Sequence, residues 1–137
     1  MRTIFTCLFS VLLIAISFAG EQEEVLWNAA RNGDAALIEK ILADGVEVNS
    51  KNRYGATALS FATDRGHVEA VKVLLKHGAD PNLRDSFYNA TPFLWAASEG
   101  NLEIIRLMVE NGADLSAPGT LGWASSGGNP PGALDME

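Results

Sequence analysis

A seven-residue turn recurs three times at nearly constant spacing, and this repetition limits the chain to a stack of like units. The three copies are Ala43-Asp44-Gly45-Val46-Glu47-Val48-Asn49, Lys76-His77-Gly78-Ala79-Asp80-Pro81-Asn82 and Glu110-Asn111-Gly112-Ala113-Asp114-Leu115-Ser116. Gly45 and Gly78 are 33 residues apart, Gly78 and Gly112 34. A second set of glycines, Gly33, Gly66 and Gly100, keeps the same period. Self-similarity at that period marks a solenoid in which each unit buries its apolar face only against its neighbours.

Each unit reads as two short helices and an extended finger. In the second, Thr57 caps a helix from about Ala58 to Arg65, Gly66 stops it, and Val68 to Lys76 forms a second helix ending at Gly78. In the third, Thr91 caps, Pro92 takes the first helical position, Gly100 terminates, and Asn101 caps the run Leu102, Ile104, Ile105, Met108, Val109. The first unit runs from about Glu23 to Asn32 and from Ala35 to Ala43, with Asp34 as cap. Helices this short are unstable alone in water, so neighbouring units must hold them. Ala29, Ala62 and Ala96 allow close approach of the first helices, while Ile38, Ile41, Leu42, Val71, Leu74, Leu75, Ile105 and Met108 supply the shared core.

These residues resemble the ankyrin-repeat family over 23 to about 117. Thr91-Pro92-Phe93-Leu94-Trp95-Ala96-Ala97 is similar to its Thr-Pro-Leu-His-x-Ala-Ala segment, and Gly66-His67-Val68-Glu69-Ala70-Val71 to its Gly-His-hydrophobic-Glu segment. The Gly-Ala-Asp-x-Asn turn stands at 78 to 82. The resemblance implies an all-α solenoid of paired short helices with β-turn fingers, in repeats of about 23–52, 53–85 and 86–117. The family's first-helix histidine is replaced by Trp27, Ser60 and Leu94, which implies loss of its polar bridge and lower stability than is usual for the family. One residue is inserted within Leu83 to Asn89: Asn49 to Thr57 spans eight positions, Asn82 to Thr91 nine. Residues 118–137 read as a degenerate fourth repeat and disordered Gly/Pro-rich tail, in which Trp123 covers the end of the stack.

The first 19 residues differ from the rest: Arg2 is followed by an uncharged stretch, Thr3 to Ala19, rich in Leu, Ile and Phe. That pattern predicts a secretory signal peptide, 1–19, cleaved after Ala19 where Ser17 and Ala19 are small. The alternative is an uncleaved anchor, although a spanning helix wants about 20 apolar residues and acids follow at Glu21, Glu23 and Glu24. Cys7 is the only cysteine and lies inside that stretch, with too short an apolar run before it for a lipoprotein site. The expected location is therefore periplasmic or secreted.

With 10 basic and 17 acidic residues the net charge is −7, which disfavours nucleic acid and anionic lipid as partners. His67 and His77 lie at opposite ends of one helix, about 15 Å apart at 1.5 Å per residue, too far for a shared metal. Glu47, Asp80 and Asp114 recur at one turn position and read as repeat grammar. No phosphate loop, catalytic triad order or cysteine nucleophile is present, so no enzyme, cofactor or metal is expected.

The resemblance implies a monomer that binds another protein through finger tips and the exposed side of each first helix. Asn28, Arg31 and Asn32 occupy those positions in the first repeat; Arg53, Tyr54, Ala56, Phe61, Asp64 and Arg65 in the second; Ser86, Phe87, Tyr88, Ala90, Trp95, Ser98 and Glu99 in the third. A solvent-facing row of Tyr54, Phe61, Phe87, Tyr88 and Trp95 would provide rigid apolar area with polar handles. The alternative is that Phe61 and Trp95 fold onto neighbouring fingers as core. The expected role is that of an inhibitor or protector of an exported enzyme or toxin. A rival reading makes the chain a purely structural fragment of a longer solenoid.

Overall fold

In the computed structural model, residues 20–86 and 88–116 are described, and they form six helices with no strand among them. The helices are α1 (20–32), α2 (Ala35–Ala43), α3 (Ala58–Asp64), α4 (Val68–Lys76), α5 (Pro92–Glu99) and α6 (Leu102–Glu110). The chain is already helical at Gly20, ahead of the expected Glu23, and Glu21, Gln22, Glu23 and Glu24 favour a helix. The signal peptide, its cleavage point, Trp123 and the tail after 117 lie outside the described residues.

Local capping chemistry sets the other helix starts. Asp34 accepts from the Leu37 amide at 3.0 Å, Thr57 from Ser60 at 3.3 Å, Thr91 from Leu94 at 3.2 Å and Asn101 from Ile104 at 3.2 Å. Each bond satisfies one orphan amide of a first turn. α3 ends at Asp64, one residue short of the expected Arg65, whose amide closes back on the Phe61 carbonyl.

Two layers result. Among the first helices α3 packs on α5, while the second helices run in the order α2, α4, α6. Between the layers lie Leu26, Ile38, Leu59, Val71, Leu74, Ile104 and Met108, all at most 1% exposed. Burying a side chain of this size contributes about 1.5–3 kcal/mol, which is how a stack holds helices too short to stand alone. Ala29, Ala62 and Ala96 are buried as expected. In α6 the fully buried isoleucine is Ile104, whereas Ile105 is half-buried. The buried set has to lie on one stripe with Met108, and Ile104 is the residue four before it.

The seven-residue turns are also the joints between units. Asn49 donates its side-chain amide to the Gly78 carbonyl at 3.3 Å and accepts from the Asp80 amide at 2.8 Å. Asn82 repeats the clamp one unit on, to the Gly112 carbonyl at 3.0 Å and from the Asp114 amide at 2.7 Å. Ser116 stands where a third asparagine would, and its hydroxyl donates within its own turn to Asp114, at 2.7 Å. Hydrogen bonds from the Ser116 side chain and backbone hold the Asp114 carboxyl below the usual range.

His67 forms another joint. Its Nε2 lies 3.0 Å from the Arg31 carbonyl, and its ring covers Gly33 so closely that a Cβ there would sit 2.6 Å from Nδ1. Of the residues that replace the family's histidine, Trp27 donates its indole to the Ser50 carbonyl at 3.3 Å, a bond within the first repeat. Ser60 instead turns its hydroxyl to Thr57, 3.2 Å away.

The fingers explain the inserted residue. In the second, a turn over Asn52 to Gly55 is closed by the Asn52 amide on the Ala56 carbonyl at 3.0 Å, with Gly55 at φ +74°. In the third, the closing bond runs from the Asp85 amide to the Ala90 carbonyl at 2.9 Å, one residue wider. The left-handed position falls to Asn89, at φ 53°, a residue type that tolerates it. The two fingers meet where the Ser86 amide donates to the Tyr54 carbonyl at 2.8 Å, leaving no room for a side chain at Gly55.

Candidate functional site

α1 carries Glu24, Trp27, Asn28 and Arg31 on one face, three or four residues apart, as helical periodicity requires. Opposite them stands the second finger with Asn52, Arg53 and Tyr54, and Phe61 of α3 forms the floor. Together they enclose a groove of about 590 Å³, comparable to pockets that seat small ligands or a few side chains of a partner.

The floor is aromatic and its lids are charged. The Arg31 guanidinium lies 4.6 Å above the centre of the Phe61 ring, and that of Arg53 4.7 Å above Tyr54. Such stacks are favourable because the negative ring face meets the cation. They also explain why Phe61 is only 2% exposed on a concave surface.

Of the expected site residues, Asn28, Arg31, Arg53, Tyr54 and Phe61 come together at this groove. The others are not among the residues that line it. Asp64 is buried beside exposed Arg65, whose Nε is 3.6 Å from its carboxylate. Tyr88 and Trp95 pair edge to face in the third repeat, 5.7 Å between centroids at 80°. Ser98 and Glu99 are exposed on the last turn of α5, the Ser98 hydroxyl donating to the Trp95 carbonyl at 2.9 Å. Phe87 lies outside the described residues.

A solvent-facing row of aromatics is therefore not what the fold presents. Phe61 and Trp95, at equivalent positions of successive repeats, are core residues, Trp95 being 4% exposed. Arg31 covers the first and the edge-on Tyr88 packs against the second. Tyr54 and Tyr88 are half-buried. The expectation also passed over Trp27 and Glu24 as groove residues; their spacing of four and seven from Arg31 was the signal for them.

On the opposite side the second helices carry ion pairs. Lys72 bridges Glu69 at 2.9 Å and Glu103 at 3.2 Å, and these hydrogen bonds raise its pKa. Glu39 takes His77 at 3.1 Å and Lys76 at 3.3 Å, and hydrogen bonds first from His77 and then from Lys76 hold its carboxyl below the usual range.

Helix pairs in two layers, tied by the same side-chain-to-backbone clamp at each joint, define a helical-repeat solenoid. The particular kind is settled by comparison: residues 12–118 match the family described as Ankyrin repeats (3 copies), and the chain belongs to that family. The match starts inside the stretch read above as a signal peptide. A human mitochondrial disaggregase is 41% identical over 66 residues, 48% of this chain and 9% of that protein. Ankyrin repeat domain-containing protein 29 of Danio rerio is 48% identical over 61 residues, 44% of this chain and 20% of the relative. Ankyrin repeat domain-containing protein SAT10 of Stachybotrys chartarum is 41% identical over 76 residues, 56% of this chain and 4% of the relative. The chain thus spans a fifth or less of these relatives. Ankyrin repeats are protein-interaction modules and generally non-enzymatic.

Proposed function

We propose that this chain is a non-enzymatic module that acts in the periplasm or another secreted space, where its concave face docks one protein and thereby inhibits or protects an exported enzyme or toxin. The observation that carries docking is the groove between α1 and the second finger, which sets half-buried Trp27 and Tyr54 beside two guanidiniums. Rigid aromatic area with arginine is the composition that dominates binding energy at protein interfaces. Export is supported by the uncharged apolar stretch from Thr3 to Ala19. The role toward an enzyme or toxin suits an exported binder without chemistry of its own.

The test is affinity capture of the full chain from its own host, followed by fractionation of the cell. Recovery of one exported protein, lost when Arg53 and Tyr54 are both replaced by alanine, is the expected result. Recovery that ignores those substitutions removes the concave face from consideration, and a partner confined to the cytoplasm removes export.

A structural role within a longer solenoid is the second reading. It is favoured by apolar side chains left open on the third repeat: Leu102 is 78% exposed, Leu115 54% and Val109 45%. Thermal unfolding distinguishes the two, since a cooperative transition of a monomer favours the independent module and aggregation favours the fragment.

A further inference from the structure

We infer that the occupant of this groove is an extended acidic segment of the partner, whose carboxylates bind the edges of Arg31 and Arg53; this rests on the concave face being the docking surface. Stacking on a ring occupies the face of a guanidinium and leaves its N–H groups in the plane, where they match a carboxylate two by two. The Arg31 Cζ lies over the Phe61 ring and the Arg53 Cζ over that of Tyr54, both on one groove.

Neither arginine is neutralised by the protein itself. Among the described residues Arg31 and Arg53 enter no ion pair, although Glu24 lines the same groove. On the opposite side Lys72 and Lys76 are both paired. The Arg31 Nε is buried and has no hydrogen-bond partner, so among the described residues no acceptor at that atom competes with a ligand for this guanidinium. Two unpaired guanidiniums on one groove are a local reversal of sign in a chain of net charge −7.

Selection of random dodecapeptides on the immobilised full chain tests this. Enriched peptides are expected to carry Asp or Glu and to bind about tenfold or more weakly to Arg31→Gln and Arg53→Gln, by the strength of charge-assisted hydrogen bonds. Lys76→Gln, on the other side, should leave binding unchanged. Arg31→Lys keeps the charge without the planar fork and should weaken binding several-fold; far-ultraviolet circular dichroism confirms that each variant is folded. Enriched peptides without acids that are blocked by Tyr54→Ala overturn the carboxylate assignment and leave the concave face standing. Binding that ignores all of these groove substitutions, or no enrichment at all, overturns both. A phosphoserine peptide that outcompetes its glutamate counterpart also overturns the assignment.

Discussion

Asn49 holds Asp80 across the joint between the first two repeats: its Oδ1 accepts the Asp80 amide at 2.8 Å while its Nδ2 donates to Gly78. Because one amide group serves a donor and an acceptor at once, its two closest substitutes fail differently. Asn49→Ala is expected to cost about 1–2 kcal/mol, two modest hydrogen bonds at a half-exposed site. Asn49→Asp should cost at least as much at neutral pH, since it trades the donor for a carboxylate facing a carbonyl. Urea midpoints of the two variants check this, and an aspartate variant as stable as the parent would refute it.

Gly33 and His67 are coupled by contact. Gly33→Ala places a Cβ at φ +74° and 2.6 Å from the His67 ring, so a loss of about 2–3 kcal/mol is expected from backbone strain and a displaced hydrogen bond. In a His67→Ala background the same substitution should cost distinctly less, because only the strain remains. A double-mutant cycle measures the difference, and equal costs in both backgrounds would show that the ring is not what the methyl meets.

Thr63 sits in α3 with no exposure, and its hydroxyl has no hydrogen-bond partner among the described residues. The equivalent residues of the other repeats are Ala30 and Ala97, which carry no such group. Thr63→Val keeps the shape and removes the unmet hydroxyl, so a gain of about 1 kcal/mol is expected. Calorimetric melting decides; a lower midpoint would mean that the hydroxyl is satisfied by bound water.

Glu39 is the group to follow with pH. Its folded-state pKa lies below the usual glutamate value, chiefly through the hydrogen bond from His77 and next through that from Lys76. A depressed carboxyl stabilises the fold above its unfolded-state pKa, and that contribution fades as pH falls through the folded-state value. Carbon-detected NMR titration should therefore place Glu39 low in the parent and move it upward in His77→Ala, more than in Lys76→Ala. The reverse order would assign the main effect to the lysine. The group is exposed, so the accompanying change in stability should be small.

What could be read from sequence was what local chemistry decides. Thr57, Thr91, Asp34 and Asn101 cap helices because each needs only an amide three residues on, and those positions follow directly from residue type. The extra residue of the third finger was located to Leu83–Asn89, and Asn89 absorbs it as one of the few side chains that accept a left-handed backbone. The fate of Phe61 was not legible, since it depends on Arg31, thirty residues earlier, crossing from another helix. Trp95 likewise needed the position of Tyr88, and the pairing of Asn49 with Asp80 needed the neighbouring unit in place. A residue's face on a helix is periodic and readable; what lies opposite it is a matter of tertiary contact.

The asparagine clamp also makes the stack a directional object with unlike ends. Asn49 and Asn82 each reach forward to the next unit, and Ser116 keeps the turn but does not reach. At the first turn, Gly45 and Glu47 present the backbone that would receive such a hand, and among the described residues none is extended to it. An added unit ending in asparagine would find a ready socket ahead of the first repeat, whereas one placed behind the third would meet a hydroxyl already turned inward. Lengthening this array is thus chemically one-sided, like growth at a single end of a filament.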